Sequence, residues 1–331
     1  MKLKTPLVSS VLGIENPLMD FVGHVGFEAF EGLDVRPGTM NLVDEELMLR
    51  VLARLPSCET VPGGSCANTI RGIAWLRGSG SVPQTRYSGA IGDDEIGRSF
   101  ESGLRECGVE PLLSRKHSRT GVSVILATPD HERTMFTYLG ACREYGPDDL
   151  PARALDEVGL LYITGYLWDT EPQKAAARGA VEHVRRRGAT VCLDVADPFV
   201  VSRYREEFLA WIPGRVDILF ANRAELTLLV GGGERDDEIT LRAAARFAPT
   251  VVMKVGKEGS LCLHPRGIER GAAVAARVVD TTGAGDAFAA GYLYAHLAGK
   301  GPAEAANLGN RVAAKVVGVE GCRYDALARE L

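Results

Sequence analysis

The sequence predicts an α/β protein with a mostly parallel β-sheet and helices on both faces. Strand-like and helix-like stretches alternate from about residue 158, the strand-like ones being short and apolar. Such alternation implies right-handed crossovers between parallel strands. The predicted strands of this half are residues 159–163, 190–194, 217–221 and 250–254, and the predicted helices are 172–187, 199–212, 223–230 and 241–247. A hairpin near 259–263 and two helices, 284–297 and 302–317, close the chain.

The N-terminal half adds one core strand, three helices and segments that do not fit the core pattern. The first strand is predicted at 6–12, ended by Gly13 and Pro17. Asp44 can cap the first of three helices, which are predicted at 44–55, 66–76 and 93–107. The remaining segments are residues 22–42 and a hairpin of strands 122–128 and 134–139. We expect these to form a separate small sheet.

The composition indicates a packed globular protein. The 331 residues are 46% hydrophobic and 24% charged, which suits one large α/β domain. A formal net charge of -5 disfavours a nucleic-acid partner. The seven cysteines are irregularly spaced without C-x-x-C, which fits a reducing cytoplasm. The sequence has no apolar run long enough to span a membrane.

The most informative motif is DTTGAGDAF, residues 280–288, which opens a predicted helix. Unpaired N–H groups and the dipole of a helix start attract anions, and Gly283 and Gly285 let the backbone approach a phosphoryl group. Ala284 lies between them in the same anion site. Asp286, in the first turn, should stay ionised near neutral pH and can accept the proton of an attacking hydroxyl. The alternative is a tight turn in which Asp286 only complements the helix dipole.

A second motif, PGGSCANT at residues 62–69, also precedes a predicted helix. Gly63 and Gly64 allow a sugar ring to lie against the backbone, and the Asn68 amide can bind its hydroxyls. The alternative is a glycine turn in which Asn68 bonds its own backbone. Together, the two motifs resemble the signatures of the ribokinase/PfkB family of carbohydrate and nucleoside kinases, and the resemblance runs from residue 13 to residue 321.

This resemblance implies a ribokinase-like fold: one domain, 1–331, with a Rossmann-like core and a β-sheet lid formed by roughly 14–43 and 112–141. It implies that Asp20, with Asn16 beside it, binds substrate hydroxyls. The family's N-x-x-E motif matches Asn222 and Glu225, which implies Mg²⁺ and phosphate binding, with Glu225 acting through water. The same pair is explained by a helix cap, and the two interpretations are compatible.

The resemblance also implies an ATP site and a kinase cofactor set. Lys254, Gly256 and Gly259 match the ATP-site loop, and Asn310 matches a position that faces the adenine. Asn222 and Thr281 are also implied ATP-binding positions. Arg133 would reach the phosphates of ATP. The implied cofactors are ATP and Mg²⁺; some members need K⁺, and the sequence leaves that open.

NPLMD at residues 16–20, VDILF at residues 216–220 and EGC at residues 320–322 resemble the adenosine kinase branch, which implies a nucleoside acceptor. Its base would pack between Leu139 and Leu167, with Phe199 close by, although Thr137 and Tyr138 are more polar than an adenine site suggests. One alternative is a sugar kinase of the ribokinase or fructokinase type, and another is a non-catalytic ligand-binding protein. A dinucleotide-dependent oxidoreductase lacks support because no G-x-G-x-x-G follows the first strand. We expect a monomeric or homodimeric cytoplasmic enzyme without a membrane partner.

Overall fold

A nine-stranded, mostly parallel sheet forms the centre of the protein in a computed structural model that describes residues 10–35, 37–78, 84–130, 132–233 and 236–328. Within these residues the strands are β1 (Ser10–Ile14), β2 (Leu18–His24), β3 (Met40–Leu42), β4 (Glu59–Gly63), β5 (Gln84–Gly92), β6 (Glu110–Lys116), β7 (Gly121–Ala127), β8 (Arg133–Tyr138), β9 (Leu160–Thr164), β10 (Thr190–Asp194), β11 (Ile218–Asn222), β12 (Thr250–Lys254), β13 (Ser260–His264) and β14 (Gly267–Gly271). The order in the large sheet is β14-β13-β12-β11-β10-β9-β1-β5-β6, and only β13 and β14 are antiparallel to their neighbours.

Helices cover both faces of this sheet, as predicted. In the described residues they are α1 (Glu45–Leu52), α2 (Ser65–Arg77), α3 (Glu95–Glu106), α4 (Ala152–Asp156), α5 (Glu171–Arg186), α6 (Pro198–Trp211), α7 (Arg223–Val230), α8 (Asp237–Ala244), α9 (Ala284–Leu297) and α10 (Pro302–Val316). Strand β9 shows why each face of the sheet needs a layer of helices. Leu161 and Ile163 pack in the core with α5 and α6, whereas Leu160 and Tyr162 pack in the core with α2 and α9.

The second sheet has five strands in the order β3-β8-β7-β2-β4. Its apolar face packs on α1 through Met48 and Val51, and Asp44 caps that helix by accepting a hydrogen bond from the Leu47 N–H. Residues 59–63 belong to this sheet as β4, although they lie outside the predicted lid segments. Residues 112–116 lie in β6 at the edge of the large sheet. The predicted small sheet is therefore present, but β4 belongs to it and residues 112–116 do not.

Two predicted boundaries are wrong for identifiable reasons. Strand β1 continues through Gly13, and a Cβ on Gly13 would lie 2.5 Å from both Cys66 Sγ and Ile70 Cγ1. That glycine therefore allows close approach of α2 rather than ending the strand; residues 6–9 lie outside the described residues. Helix α8 begins four residues earlier than predicted because Asp236 caps it, accepting a hydrogen bond from the Glu238 N–H at 2.8 Å.

Helices α9 and α10 pack through a pair of glycines. A Cβ on Gly291 would lie 2.8 Å from the Gly309 Cα, and a Cβ on Gly309 would lie 2.8 Å from the Phe288 carbonyl oxygen. Neither backbone has room for a side chain at this contact. Among the described helices, none combines the length and apolar character needed to cross a membrane.

We therefore expect Gly291→Ala to lower the free energy of unfolding by about 1–3 kcal/mol, because the added methyl group overpacks the α9–α10 contact. Gly179→Ala is the matched control: Gly179 is exposed on α5, and nothing lies within 4 Å of an added Cβ. This control should raise stability by about 0.4–1 kcal/mol. Urea unfolding of both variants checks the expectation. Equal effects of the two substitutions would contradict the tight contact.

Candidate active site

The predicted anion site lies at the N-terminus of α9, on one edge of the large sheet. Gly283 is the N-cap and has a left-handed φ of 74°, and a Cβ there would lie 2.5 Å from the Cys322 Cβ. Glycine is therefore required at this position for both conformation and space. The Ala284 N–H already donates to the Thr281 carbonyl oxygen at 3.2 Å. Gly285 follows within the first turn, where helix N–H groups lack intrahelical partners.

Two side chains from the first turn of α2 hold the Asp286 carboxylate. Ser65 Oγ donates to Oδ1 at 2.7 Å, and Asn68 Nδ2 donates to Oδ2 at 2.9 Å. Arg71 Nη1 donates to Asn68 Oδ1 at 3.3 Å, which fixes the orientation of the amide. The two sequence motifs therefore meet at one carboxylate.

Burial raises the pKa of Asp286, against hydrogen bonds from Asn68 and Ser65 and the charge of Lys254, which lower it. The prediction of an ionised carboxylate considered only the helix dipole. Burial opposes that dipole because an anion loses hydration inside the protein. A raised pKa makes Asp286 a stronger proton acceptor once it is ionised.

Two cavities meet at Asp286, and Ser65, Gly283 and Asp286 line both. We call them the acceptor cavity and the nucleotide cavity. The predicted substrate-binding residues that line the acceptor cavity are Asn16, Asp20, Gly64, Asn68, Leu139 and Phe199. The predicted ATP and metal residues that line the nucleotide cavity are Asn222, Glu225, Lys254, Gly256, Gly259, Thr281 and Asn310. The structure thus separates the predicted residues into two groups that share one carboxylate.

Asp20 lies on β2 against the backbone of Gly63, where a Cβ would overlap its carboxylate. Burial raises the pKa of Asp20 to about 7; the charge of Asp286 adds to the shift, whereas the nearby guanidinium groups of Arg71 and Arg133 oppose it. The site therefore holds an acceptor that titrates near neutral pH.

Two other predicted acceptor residues lie differently from the expectation. The Asn16 amide is already engaged: its Oδ1 accepts from Gln173 Nε2 at 2.6 Å, and its Nδ2 lies 3.5 Å from the Tyr166 carbonyl oxygen. Leu167 is fully buried in the main core, while its neighbour Tyr166 lines the acceptor cavity. Tyr166 and Leu167 lie in the same 3-10 turn after β9, and this turn directs their side chains to different surroundings.

Charged side chains lie close together in one part of the nucleotide cavity. Lys254 Nζ lies 2.7 Å from Asp194 Oδ2. Burial alone lowers the pKa of Lys254, but the carboxylates of Asp194 and Glu225 outweigh this and raise it. Lys254 is therefore a fixed cation. Farther along the cavity, Asn310 Nδ2 donates to the Ala272 carbonyl oxygen at 2.9 Å.

Asn222 and Glu225 form the capping box that the sequence allows. Asn222 Oδ1 accepts from the Glu225 N–H at 2.9 Å, and Glu225 Oε2 accepts from the Asn222 N–H at 2.7 Å. Burial raises the pKa of Glu225 to about 7. Among the described residues no three His, Cys, Asp or Glu side chains form a metal-binding group. Mg²⁺ bound to a substrate phosphate usually keeps several of its waters and needs only one or two carboxylates from the protein. Asp194 and Glu225 fit this need as residues that would hold the waters of the ion.

Arg133, which was expected to reach the phosphates of ATP, does not line the nucleotide cavity. Its guanidinium group pairs with Asp280 Oδ2 at 3.0 Å and with Glu320 Oε1 at 3.4 Å, and Nη1 lies 3.4 Å from Thr282 Oγ1. The small sheet is thus tied to the segment that leads into α9.

Sequence analysis missed Glu15. Its Oε2 accepts from the Cys66 N–H at 2.9 Å and its Oε1 accepts from Thr164 Oγ1. Since the N-cap Gly64 has no side chain, Glu15, which directly follows β1, caps α2 instead. Burial raises the pKa of Glu15 to about 8, and the charges of Asp286 and Asp194 add to it.

Three further site residues were not predicted. They are Ser65, Arg71 and Asp194. Only Asp194 carries a sequence signal, an acidic residue at the carboxyl end of a buried strand, which is where α/β proteins bind ligands.

The Glu15 environment predicts how stability depends on pH. Between about pH 4.5 and 8 the folded protein holds a proton on Glu15 that the unfolded chain releases, so stability falls as pH rises. Glu15→Gln keeps an acceptor for the Cys66 N–H and removes this titration. We expect the variant to gain roughly 3–5 kcal/mol relative to the parent between these pH values. Denaturant titrations at several pH values check this; a constant difference between the two proteins would contradict it.

Comparison with known proteins identifies the family of this chain. Residues 39–329 match the family model described as pfkB family carbohydrate kinase. The crystal structure of adenosine kinase from Sinorhizobium meliloti has a TM-score of 0.87 and 35% identity, covering 96% of each chain. A probable sugar kinase from Rhizobium etli has a TM-score of 0.88 and 33% identity, covering 96% of this chain and 95% of the other. Adenosine kinase of Saccharomyces cerevisiae is 27% identical over 88% of each chain.

These matches confirm the predicted fold class and the predicted enzyme class, ATP-dependent phosphoryl transfer to a hydroxyl group. The chain belongs to the pfkB family of carbohydrate kinases.

Proposed function

We propose that this kinase phosphorylates the primary hydroxyl of a nucleoside, and that Asp286 is its catalytic base. The observation that carries the proposal is the position of Asp286 where the acceptor and nucleotide cavities meet. An acceptor bound on one side and ATP on the other would bring the hydroxyl, the carboxylate and the γ-phosphate together.

The near end of the acceptor cavity suits a ribose. Asp20 and Asn68 line it beside Asp286, and they offer a carboxylate and an amide to ring hydroxyls. Gly64 lies between them with a φ of 89°, so the sugar can approach the backbone closely.

The rest of the acceptor cavity favours a base over a free sugar. It continues along apolar side chains, which are Met40, Leu42, Ile125, Met135, Leu139 and Phe199. A monosaccharide has no group to cover these side chains, whereas an aromatic base buries them. The similarity to adenosine kinase from Sinorhizobium meliloti supports the same choice.

In the reaction, the Asp286 carboxylate accepts the proton of the acceptor hydroxyl as its oxygen bonds to the γ-phosphorus. The bond between that phosphorus and the β–γ bridging oxygen breaks, and ADP leaves. First-turn N–H groups of α9, including that of Gly285, stabilise the transferring phosphoryl group, and Lys254 supplies a fixed positive charge.

The Mg²⁺ that the family implies would neutralise phosphate charge, with Asp194 and Glu225 as residues that hold its waters. The small sheet covers the acceptor cavity through β3 and β8, and it would exclude water that could otherwise hydrolyse ATP. All seven cysteines are free thiols, which fits a cytoplasmic enzyme.

Asp286→Asn should lower kcat by roughly 10²–10⁴-fold, because the amide keeps the shape of the carboxylate but cannot accept the proton. ATP affinity, measured by calorimetry, should stay close to that of the parent protein. Asp93→Asn serves as the control, because it makes the same chemical change at a carboxylate that is 75% exposed and lines neither cavity. Near-normal turnover of Asp286→Asn would remove Asp286 from the mechanism.

A substrate panel tests the choice of acceptor. With ATP in excess, adenosine should give a kcat/KM at least 10-fold above those of ribose and fructose, because only a nucleoside fills the apolar part of the cavity. ADP formation is the readout, and each candidate product is checked by mass spectrometry. A preference for a free sugar would instead favour the sugar-kinase alternative, which the match to a probable sugar kinase also supports.

A further inference from the structure

The acceptor cavity has a polar end that the proposed mechanism does not use. A third cavity adjoins it there, and the residues they share are Leu42, Thr137, Leu139, Asp169 and Arg203. None of these lines the nucleotide cavity, which shares Ser65, Gly283 and Asp286 instead. Asp169 and Arg203 therefore lie at the end of the acceptor cavity that is remote from Asp286.

The Asp169 carboxylate is oriented by one partner and left open on the other side. It follows the 3-10 turn Gly165–Trp168, and its side chain is only 12% exposed. Oδ2 is buried and lies 3.0 Å from Arg143 Nε. Oδ1 lies 3.9 Å from Arg203 Nη1, too far for a hydrogen bond, and no other described residue donates one to it. Asp169 thus presents a nearly desolvated acceptor at the cavity wall.

Arg203 places a donor beside that acceptor. Its guanidinium group lies over the Tyr204 ring, 5.2 Å from the centroid, and this stacking holds a side chain that is otherwise half exposed. Tyr204 also lines the acceptor cavity. The remote end therefore combines one acceptor and one donor, next to apolar walls that suit an aromatic ring.

We propose that Asp169 is a specificity-determining residue that accepts a hydrogen bond from an exocyclic amine on the purine base of the acceptor. Arg203 donates to the ring nitrogen next to that amine. The inference rests on the proposed nucleoside kinase function, in which the ribose hydroxyl lies at Asp286 and the base extends toward Asp169. It narrows the acceptor class to aminopurine nucleosides.

The physical reason is the asymmetry of buried polar groups. An amine opposite Oδ1 forms a hydrogen bond to a charged acceptor, whereas a base without the amine leaves Oδ1 desolvated and without a hydrogen-bond donor. A site built around such a bond rejects an analogue that lacks the donor more strongly than an apolar pocket rejects a missing methylene.

Adenosine and purine riboside form the test pair, since they differ only in the amine. The parent enzyme should show kcat/KM for adenosine about 10–100-fold above that for purine riboside. Asp169→Ala should bring the ratio within about threefold of one, because it removes both the bond to the amine of adenosine and the desolvated acceptor that disfavours purine riboside. Activity on purine riboside also reports that the variant is folded. Asp169→Asn, with an uncharged acceptor of the same shape, should give an intermediate ratio.

Arg143→Gln is the matched control, because it removes the ion pair to Asp169 but lies outside the acceptor cavity lining. It should retain the adenosine preference. Loss of the preference in Arg143→Gln as complete as in Asp169→Ala would show that the ion pair, rather than contact with the base, sets it, and would overturn the inference.

Two further outcomes separate this inference from the proposed function. If the parent enzyme uses both nucleosides equally well, or if Asp169→Ala lowers both values by the same factor, the role of Asp169 is wrong and the nucleoside kinase stands. If the parent enzyme phosphorylates ribose or fructose but neither nucleoside, the nucleoside proposal fails and this inference fails with it.

Discussion

The structure depends on close packing between the N-termini of α2 and α9. Ser65 and Asn68 from α2 hold the Asp286 carboxylate of α9, so the group that would accept the proton is fixed by residues more than two hundred positions away. This contact is possible because Gly72 of α2 leaves space: a Cβ there would lie 2.6 Å from the Ala290 Cβ of α9. Ser65 of α2 and Asp286 of α9 line both cavities.

A buried carboxylate is costly unless its surroundings compensate for lost hydration. Here several acids share one region, and burial raises the pKa values of Glu15, Asp20, Glu225 and Asp286. The compensating cation on the nucleotide side is Lys254, whose charge is retained because it faces Asp194 and Glu225. Perturbed groups of this kind concentrate where proton transfer occurs. ATP would add further negative charge, which explains why the family's Mg²⁺ fits beside these residues.

Local sequence signals predicted the elements that position this site. The bounds of α9 and β12 agree with the prediction because glycine motifs and buried strands mark them clearly. Long-range contacts were beyond such signals. Glu15 is adjacent to the predicted Asn16, but only the folded chain places its carboxylate against the first turn of α2.

The remaining misses have similar causes. In a 3-10 turn, sequence spacing cannot tell which of two adjacent residues faces a cavity, so Leu167 was chosen where Tyr166 lines it. Gly13 was interpreted as a strand end because close approach of a helix leaves no trace in local sequence.

The most direct measurement is a crystal structure of the kinase with adenosine and a non-hydrolysable ATP analogue. We expect the primary hydroxyl of adenosine within about 2.6–3.2 Å of an Asp286 carboxylate oxygen. We also expect the analogue's terminal phosphate on the other side of that hydroxyl, against the first turn of α9. An acceptor whose hydroxyl points away from Asp286, or a phosphate chain bound outside the nucleotide cavity, would contradict the proposed mechanism.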